Sequence, residues 1–430
     1  MESYVIEGGT PLEGQITISG NKNGALAAMT AALLSDERII LRNIPLIEDI
    51  KVLSELLRSI NVDVKLHDDH TCEIDSFGCD WSSIYLSPSH VESIRASLLL
   101  VGPLLTRAKS LVLPPPGGDV IGFRRIDTLI DALELFSASC HVNDDGYLIV
   151  QSDELVGNRI FLNEASVTTT ENVIMIASMA RGSTTIVHAA CEPHVQDLCR
   201  MLNCMGAKIS GIGSNVLSVE GVEKLHGCDF SIGPDYMEIG SFIGLAGATA
   251  SEIELKNVSR DDLMVIEQGY RKIGLSWKAS GPDSIIIPKN QKRIISKSVS
   301  GFTNKIDDAP WPGFPADLLS IITVAATQMN GTILVHEKMY ESRMFFIDWL
   351  IRMGADIILC DPHRAVIQGP NILKPAIVSS PDVRAGMALV IATLCAEGTS
   401  IIQNIYQIER GYEDLTGKLL QIGAKIKRES

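Results

Sequence analysis

The chain has 430 residues, a length that suggests two domains or one large α/β body. Apolar residues make up 46% and charged residues 21%, which indicates a globular protein with a large core and excludes a disordered chain. The formal charge of −15 argues against nucleic acid and anionic membranes as partners, because both would be repelled by an acidic surface.

The first residues, MESYVIEGGT, contain neither a basic segment nor an apolar run. They therefore give no indication of a signal peptide, and we expect a cytoplasmic protein. The longest apolar stretches are shorter than a membrane span. The nine cysteines include no C-x-x-C pair, which argues against a zinc knuckle or a redox dithiol and favours free thiols.

A pattern of strand, turn, amphipathic helix and strand recurs six times along the chain. The predicted strands are ERIILRNIP, SLVLPPPGG, STTIVHAAC, SEIELKNVS, GTILVHEKM and TSIIQNIYQ. Each following helix ends at a residue placed to adopt the left-handed conformation, with serine the poorest fit: Asn61, Ser137, Gly206, Gly274, Gly354 and Gly423. Any α/β protein shows some repetition of strand, helix and strand. A true repeat is favoured here because the ending L-x-x-x-G-A-x-I recurs closely in three units. Six units grouped in threes predict two similar domains.

The first candidate site lies in SGNKNGAL, where a strand ends and an apolar helix is predicted to begin near Gly24. Lys22 and Asn23 stand at this junction. A lysine at a helix N-terminus is electrostatically unfavourable unless an anion binds there as well. The alternative is a solvated lysine in a turn.

Arginines beside small residues form a second candidate set: Arg95, Arg124, Arg125, Arg343, Arg384 and Arg410. Arg95 and Arg384 are predicted to interrupt apolar helices, which is costly unless the charge meets a ligand or a partner. The guanidinium group suits carboxylate and phosphate because it offers two parallel donors. Structural pairing, for example of Arg384 with Asp382, is the alternative.

Three further stretches combine rigidity with polar groups. In APWPGFPADLLS, Asp317 is either an ordinary helix cap or a carboxylate base held at a cleft wall. Ser166 to Thr170 could bind a phosphate ahead of an apolar helix, or Thr170 could simply cap that helix. The loop PPPGGDVIGFRR is either a surface turn or a mobile loop that carries Asp119 and two arginines over an anionic ligand.

Taken in order, SGNKNGAL, IRAS, PGG-x-x-IG-x-R, PGFPAD, ESR, DVRAGMAL and ERGYE resemble the motifs of the enolpyruvyl transferases. The resemblance spans essentially the whole chain and is strongest to the branch that acts on UDP-N-acetylglucosamine in peptidoglycan synthesis. It implies a two-domain inside-out α/β barrel of six βαβαββ repeats, three per domain. The expected domains are 22–233, with a mobile lid at 114–125, and 1–21 together with 234–430.

The resemblance also implies the reaction. The enolpyruvyl group of phosphoenolpyruvate would move to the 3-hydroxyl of UDP-N-acetylglucosamine, with release of phosphate. Neither a metal nor an organic cofactor is implied, and the partners would be these two small molecules. We expect a monomer or a weak homo-oligomer.

Residue roles follow from the matched motifs. The expected catalytic set is Lys22, Asp119, Asp317 and Arg410. Lys22, Arg124 and Arg410 would hold the phosphate of phosphoenolpyruvate, and Arg343 and Arg384 its carboxylate. Asp317 would accept the proton of the sugar hydroxyl, and Asp119, which stands where many members have cysteine, would act in proton transfer. The remaining substrate-binding residues would be Asn23 at the sugar, Asp127, Ser166 and Val167 at the uridine diphosphate, and Arg95 and Tyr340.

The sequence departs from the family pattern mainly where the nucleotide sugar would bind. The altered positions are Arg125, Leu129, Thr168, Thr169, Trp311, Ala316, Ser342 and Gln407. Two alternatives therefore stay open: a transferase with another nucleotide or sugar acceptor, and a catalytically weak paralogue that binds ligand. The intact arginines argue against the paralogue. A shikimate 3-phosphate enzyme fits SGNKNGAL and ERGYE less well.

Overall fold

The computed structural model describes residues 2–118, 122 and 124–429. These residues form two compact units, each with its own hydrophobic core. The central unit comprises residues 20–118 and 124–233, and the terminal unit comprises residues 2–19, 122 and 234–429.

Helices occur throughout both units. They are α1 (Lys22–Ala31), α2 (Glu48–Ser59), α3 (Pro88–Val91), α4 (Val101–Ala108), α5 (Asp127–Leu135), α6 (Val167–Ala177), α7 (Pro193–Cys204), α8 (Tyr236–Ala248), α9 (Arg260–Lys272), α10 (Leu319–Ala326), α11 (Ile347–Arg352), α12 (Val383–Cys395), α13 (Tyr406–Glu409) and α14 (Leu415–Gln421). Short 3₁₀ helices span Ala32–Leu34, Arg95–Leu100 and Ala316–Leu318. None of the described helices combines the length and apolar character needed to cross a bilayer.

The strands are short. They are β1 (Ser3–Gly8), β2 (Glu13–Thr17), β3 (Ile39–Arg42), β4 (Asp63–Leu66), β5 (Cys72–Asp75), β6 (Ser110–Leu113), β7 (Ser139–Val142), β8 (Leu148–Gln151), β9 (Arg159–Phe161), β10 (Ser183–Val187), β11 (Lys208–Ser210), β12 (Val216–Glu220), β13 (Asp229–Ser231), β14 (Glu252–Lys256), β15 (Lys278–Gly281), β16 (Ser284–Ile287), β17 (Asn304–Asp307), β18 (Gly331–His336), β19 (Asp356–Asp361), β20 (Arg364–Gly369), β21 (Ile377–Ser379), β22 (Gly398–Gln403) and β23 (Lys425–Glu429).

The described strands form six small sheets, three in each unit. The central unit contains the orders β13-β3-β5-β4, β6-β8-β7 and β11-β12-β10-β9. The terminal unit contains β15-β16-β14-β2, β17-β18-β20-β19 and β21-β22-β1-β23. In each four-stranded sheet one edge strand pairs in parallel and the other two pairings are antiparallel.

The sheets confirm the predicted repeat. One complete βαβαββ unit is β9-α6-β10-α7 followed by β11 and β12, and β17-α10-β18-α11 with β19 and β20 repeats it. The unit that begins with SLVL has three strands among the described residues. Two repeats take one strand from a distant part of the sequence. In the terminal unit β2 pairs with β14, and in the central unit β13 pairs with β3.

The helices inside each unit are mainly apolar and are buried on all sides. Every residue of α8 and α10 is buried, as are nearly all residues of α6 and α12. A helix of this kind needs cover on every side. Strands supply that cover, because their burial alternates residue by residue, as in β12 and β10. The cores are mainly aliphatic, as an aromatic content of only 5% predicts, although tyrosines rank among the largest fully buried side chains.

The six predicted helix ends are confirmed. Asn61, Ser137 and four glycines all have positive φ, from 66° at Asn61 to 103° at Gly206. Ser137 takes this conformation at φ 70° although serine has a Cβ atom. The left-handed residue lets the chain reverse from each helix into the next strand.

Candidate active site

Asp317 lies in the 3₁₀ helix Ala316–Leu318, directly after a proline-rich approach. Its carboxylate accepts hydrogen bonds from Arg343 at 2.6 Å and from Arg384 Nε at 3.1 Å. Pro315 occupies the cap position and no side chain caps this short helix. The helix-cap interpretation of Asp317 is therefore wrong, because its carboxylate is engaged by two arginines instead.

Both arginines are held by aromatic faces as well. The Arg343 guanidinium carbon lies 4.7 Å from the centre of the Tyr340 ring, and that of Arg384 lies 5.2 Å from the Tyr412 ring. Their side chains are only 12% and 6% exposed. Cation–π contacts strengthen when water is excluded, so the two cations are well fixed.

Charge controls the acidity of Asp317. Burial alone would raise the pKa of this carboxyl, but the charges and hydrogen bonds of Arg343 and Arg384 outweigh it and hold the pKa well below its usual range. Asp317 is therefore ionised, with its two oxygens divided between the two arginines.

Arg384 does not interrupt its helix, contrary to the prediction. It is the second residue of α12, and Asp382 caps that helix by accepting from the backbone N–H groups of Arg384 at 2.8 Å and Ala385 at 3.0 Å. The Asp382 carboxylate thus bonds the backbone of Arg384, while the guanidinium group extends to Asp317.

Arg410 is brought close to the first turn of α12 by a glycine. A Cβ atom on Gly411 would lie 2.3 Å from Val383 Cγ1, so only glycine allows this approach. Arg410 is largely buried and donates to Gln407 Oε1 at 3.4 Å. The terminal unit therefore brings Asp317, Arg343 and Arg384 together and carries Arg410 beside them.

In the central unit, Lys22 is the first residue of α1, two residues before the predicted start. Asn21 caps the helix by accepting from Gly24 N at 2.9 Å. Lys22 Nζ lies 3.0 Å from Asp49 Oδ2, with side-chain exposures of 15% and 6%. The interpretation of Lys22 as a solvated lysine is therefore wrong. Asn23 follows it in the first turn.

Asp49 is a buried partner of Lys22 that no sequence motif indicated. It lies in the first turn of α2 and is buried on the same face as Leu53, Leu56 and Leu57. A carboxylate on the apolar face of an amphipathic helix requires a buried partner. That placement in the helical pattern could have identified it.

Arg95 and Arg124 meet beside Gly118. Arg95 donates to the Arg124 carbonyl at 2.8 Å. A Cβ atom on Gly118, which has φ 111°, would lie 2.8 Å from an Arg124 nitrogen and 2.8 Å from Arg95 Cβ. Arg95 begins its 3₁₀ helix after the extended residue Ile94, so the prediction that it interrupts a helix is wrong.

The rest of the loop stays a prediction. Asp119 and three further residues of PPPGGDVIGFRR, Val120, Ile121 and Phe123, lie outside the described residues. The proton-transfer role of Asp119 and the predicted lid are therefore hypotheses that rest on the family resemblance.

The residues expected at the uridine diphosphate also come together. Ser166 caps α6 by accepting from Thr169 N at 3.3 Å, and Val167 is the first residue of that helix. Asp127 begins α5, whose next residue, Thr128, donates to Glu164 Oε1 at 3.4 Å. This contact brings the start of α5 to the segment that leads into α6.

Thr170 does not cap α6. Its hydroxyl accepts a hydrogen bond from Ala190 N at 2.9 Å, and Ser166 takes the capping position four residues earlier. Ser166 therefore satisfies two N–H groups of the first turn of α6, since Thr169 N donates to its hydroxyl and Thr170 N to its carbonyl oxygen.

The fold agrees with solved structures of enolpyruvyl transferases. The enolpyruvyl transferase NikO from Streptomyces tendae superposes with a TM-score of 0.88 at 21% identity and covers 100% of this chain and 99% of its own. An EPSP synthase from Acinetobacter baumannii gives a TM-score of 0.76 at 17% identity, with both chains covered completely. The fold class is that of the enolpyruvyl transferases.

Sequence comparison places the chain within this class. The model of the family described as EPSP synthase (3-phosphoshikimate 1-carboxyvinyltransferase) matches residues 6–419. UDP-N-acetylglucosamine 1-carboxyvinyltransferases from Treponema denticola and Borreliella burgdorferi are 52% and 50% identical, over 99% and 100% of this chain and 99% of each relative. The chain belongs to the enolpyruvyl transferase family and, within it, to the UDP-N-acetylglucosamine 1-carboxyvinyltransferases.

Proposed function

We propose that the protein transfers the enolpyruvyl group of phosphoenolpyruvate to the 3-hydroxyl of UDP-N-acetylglucosamine and releases phosphate, a reaction of peptidoglycan synthesis. About half of all positions are identical to enzymes of that name over the full length. The structural observation that carries the proposal is the Asp317 carboxylate between two buried arginines.

This arrangement suits a base that acts only when substrate is bound. Arg343 and Arg384 would bind the carboxylate of phosphoenolpyruvate with the same donors that now bond Asp317. The incoming anion would compete for those donors and add negative charge nearby. Both effects raise the pKa of Asp317, so it becomes a better base once phosphoenolpyruvate is in place.

The reaction then balances as an addition followed by an elimination. Asp317 takes the proton of the sugar hydroxyl while the hydroxyl oxygen attacks C2 of phosphoenolpyruvate. C3 receives a proton, for which Asp119 is the proposed donor. Loss of a C3 proton back to the Asp119 carboxylate and cleavage of the C2–O bond to phosphate restore the double bond, and the departing phosphate takes the proton that Asp317 accepted. Lys22, Arg124 and Arg410 would stabilise the departing phosphate through their positive charge.

The remaining roles concern the acceptor and the compartment. Asp127, Ser166 and Val167 would bind the uridine diphosphate, Asn23 the sugar, and Arg95 and Tyr340 would support the arginines that touch substrate.

We also propose that the central and terminal units are the two domains of the enzyme. Its place of action would be the cytoplasm, where phosphoenolpyruvate and nucleotide sugars are made.

The test measures phosphate release from phosphoenolpyruvate with and without UDP-N-acetylglucosamine. We expect release only when both substrates are present, and a loss of at least about 100-fold in kcat for Asp317→Ala. Asp229→Asn serves as a matched control, because it removes an exposed carboxylate that pairs with Arg42.

Each alternative has its own outcome. Release with another nucleotide or sugar, but not with UDP-N-acetylglucosamine, would identify a different acceptor. Phosphoenolpyruvate binding without turnover on any acceptor would point to a ligand-binding paralogue.

A further inference from the structure

A small cavity adjoins the Asp317 cluster inside the terminal unit. Its volume is about 10 Å³, close to the smallest space that holds one water. The lining combines apolar side chains with Ser320, Glu337, Arg343 and Asp382. Arg343 is thus shared between the cavity and the carboxylate of Asp317.

Three polar atoms of the lining residues are buried and have no hydrogen-bond partner among the described residues, apart from the hydrogen bond that the Glu337 carboxyl group shares with Asp308. They are Ser320 Oγ, Glu337 Oε2 and Arg343 Nε. Glu337 as a whole is fully buried. A buried donor or acceptor without a partner costs free energy, so three such atoms around one cavity indicate a shared polar ligand.

The other oxygen of Glu337 organises the turn that leads to Arg343. Glu337 Oε1 accepts from Met339 N at 3.1 Å and from Tyr340 N at 3.0 Å. Tyr340 in turn places its ring against the Arg343 guanidinium group. Glu337 therefore acts on Arg343 from two sides, through the Tyr340 ring and through the cavity.

Asp308, the residue that follows β17, completes this arrangement. Its carboxylate accepts from Lys338 N at 2.5 Å and from Met339 N at 3.2 Å, so Asp308 and Glu337 share the Met339 N–H group. Burial, together with the hydrogen bond and negative charge of Asp308, raises the pKa of Glu337. Near neutral pH the pair therefore holds a proton, and Glu337 can be mimicked by a neutral amide.

We propose that Glu337 is a positioning residue for Arg343, acting through the Tyr340 turn and through one buried water. The water accepts a hydrogen bond from Arg343 Nε and bonds Glu337 Oε2 and Ser320 Oγ. The remaining guanidinium nitrogens are then aimed at Asp317 or at the carboxylate of phosphoenolpyruvate. This inference rests on the proposed function, because it concerns the substrate that Arg343 binds.

The water site is tested directly by a crystal structure of the full chain at a resolution that places ordered waters. We expect one water within hydrogen-bonding distance of Arg343 Nε, Glu337 Oε2 and Ser320 Oγ. A dry cavity, or a direct bond between Glu337 and Arg343 Nε, would overturn the water bridge. This result does not depend on catalytic activity.

The positioning role is tested by steady-state kinetics of Glu337→Ala and Glu337→Gln. For the alanine variant we expect KM for phosphoenolpyruvate to rise about tenfold, while kcat and KM for the UDP-sugar stay within about twofold. The glutamine variant keeps an oxygen and a donor in place, so its KM should return to within about threefold of the wild-type value. Glu7→Gln, which removes an exposed carboxylate of the same unit that pairs with Lys425, is the control.

Ser320→Ala provides a second variant if Glu337→Ala does not fold, with an expected rise of about threefold in KM for phosphoenolpyruvate alone. An unchanged KM in every folded variant, or an equal rise for both substrates, would overturn the positioning role. A wild-type enzyme that releases no phosphate would instead contradict the proposed function, and the crystal structure would then decide the water site by itself.

Discussion

At the scale of single residues, Asp317 shows how distant positions build one group. Its two arginine partners lie 26 and 67 residues further along the chain. The motifs PGFPAD, ESR and DVRAGMAL indicated all three residues. They did not indicate that Asp317 forms ion pairs with both arginines, because an ion pair depends on side-chain geometry and the spacing of residues in a sequence does not determine that geometry.

The pairing predicts an unusual variant. Asp317→Asn should lower kcat by at least about 100-fold, since an amide cannot accept the proton. It should also bind phosphoenolpyruvate about threefold to tenfold more tightly, because the competing anion is gone. Calorimetric titration of phosphoenolpyruvate into the wild-type protein and into Asp317→Asn, without the UDP-sugar, measures the two affinities. Arg343→Lys in the same assay should bind more weakly, and weaker binding by Asp317→Asn would contradict the competition.

Asp119 leads to a second prediction, which follows from the family resemblance. Fosfomycin alkylates the cysteine that many members have at this position, and a carboxylate lacks the thiol. We expect wild-type activity to survive incubation with fosfomycin, and Asp119→Cys to lose activity with time. Mass spectrometry would locate the adduct. Inactivation of the wild-type protein would mean that another nucleophile reacts, and Cys204→Ser, at an exposed cysteine, tests that possibility.

At the scale of elements, the helix ends were predictable because their cause is local. A residue with positive φ ends each of the six predicted helices, and the recurring G-A-x-I marks three of these ends. The helix starts were less predictable. Several polar residues compete to cap α1 and α6, and contacts such as Thr170 with Ala190 N decide which one does.

The conformation of Ser137 at the end of a helix leads to a prediction about stability. Serine at φ 70° is strained, whereas glycine is not, so Ser137→Gly should raise the free energy of unfolding by about 0.5–1 kcal/mol. The reverse change, Gly423→Ser, should lower it by a similar amount. Gly423 is a matched control because a Cβ atom there would meet nothing within 4 Å. Urea titration measures both, and equal stabilities would show that φ is not the cause.

At the scale of the whole molecule, two cores share one architecture. The composition predicted aliphatic cores, and the repeats predicted six units grouped in threes. Neither the composition nor the repeats predicted which strands from distant parts of the chain pair with each other. Strand β1 pairs with β22 and β23 at the opposite end of the chain, and β13 pairs with β3. Strand pairing depends on which edges are left open once the helices have packed.

The sequence by itself determined the fold class, the six repeats and the left-handed helix ends, and it indicated candidate anion-binding residues, because periodicity, backbone conformation and ordered motifs are local properties. Only the tertiary structure decided that Lys22 pairs with Asp49, that Asp317 bonds two arginines, and that Glu337 faces a cavity beside Arg343. These contacts join residues far apart in the chain, and their energies depend on burial, which exists only once the chain has folded.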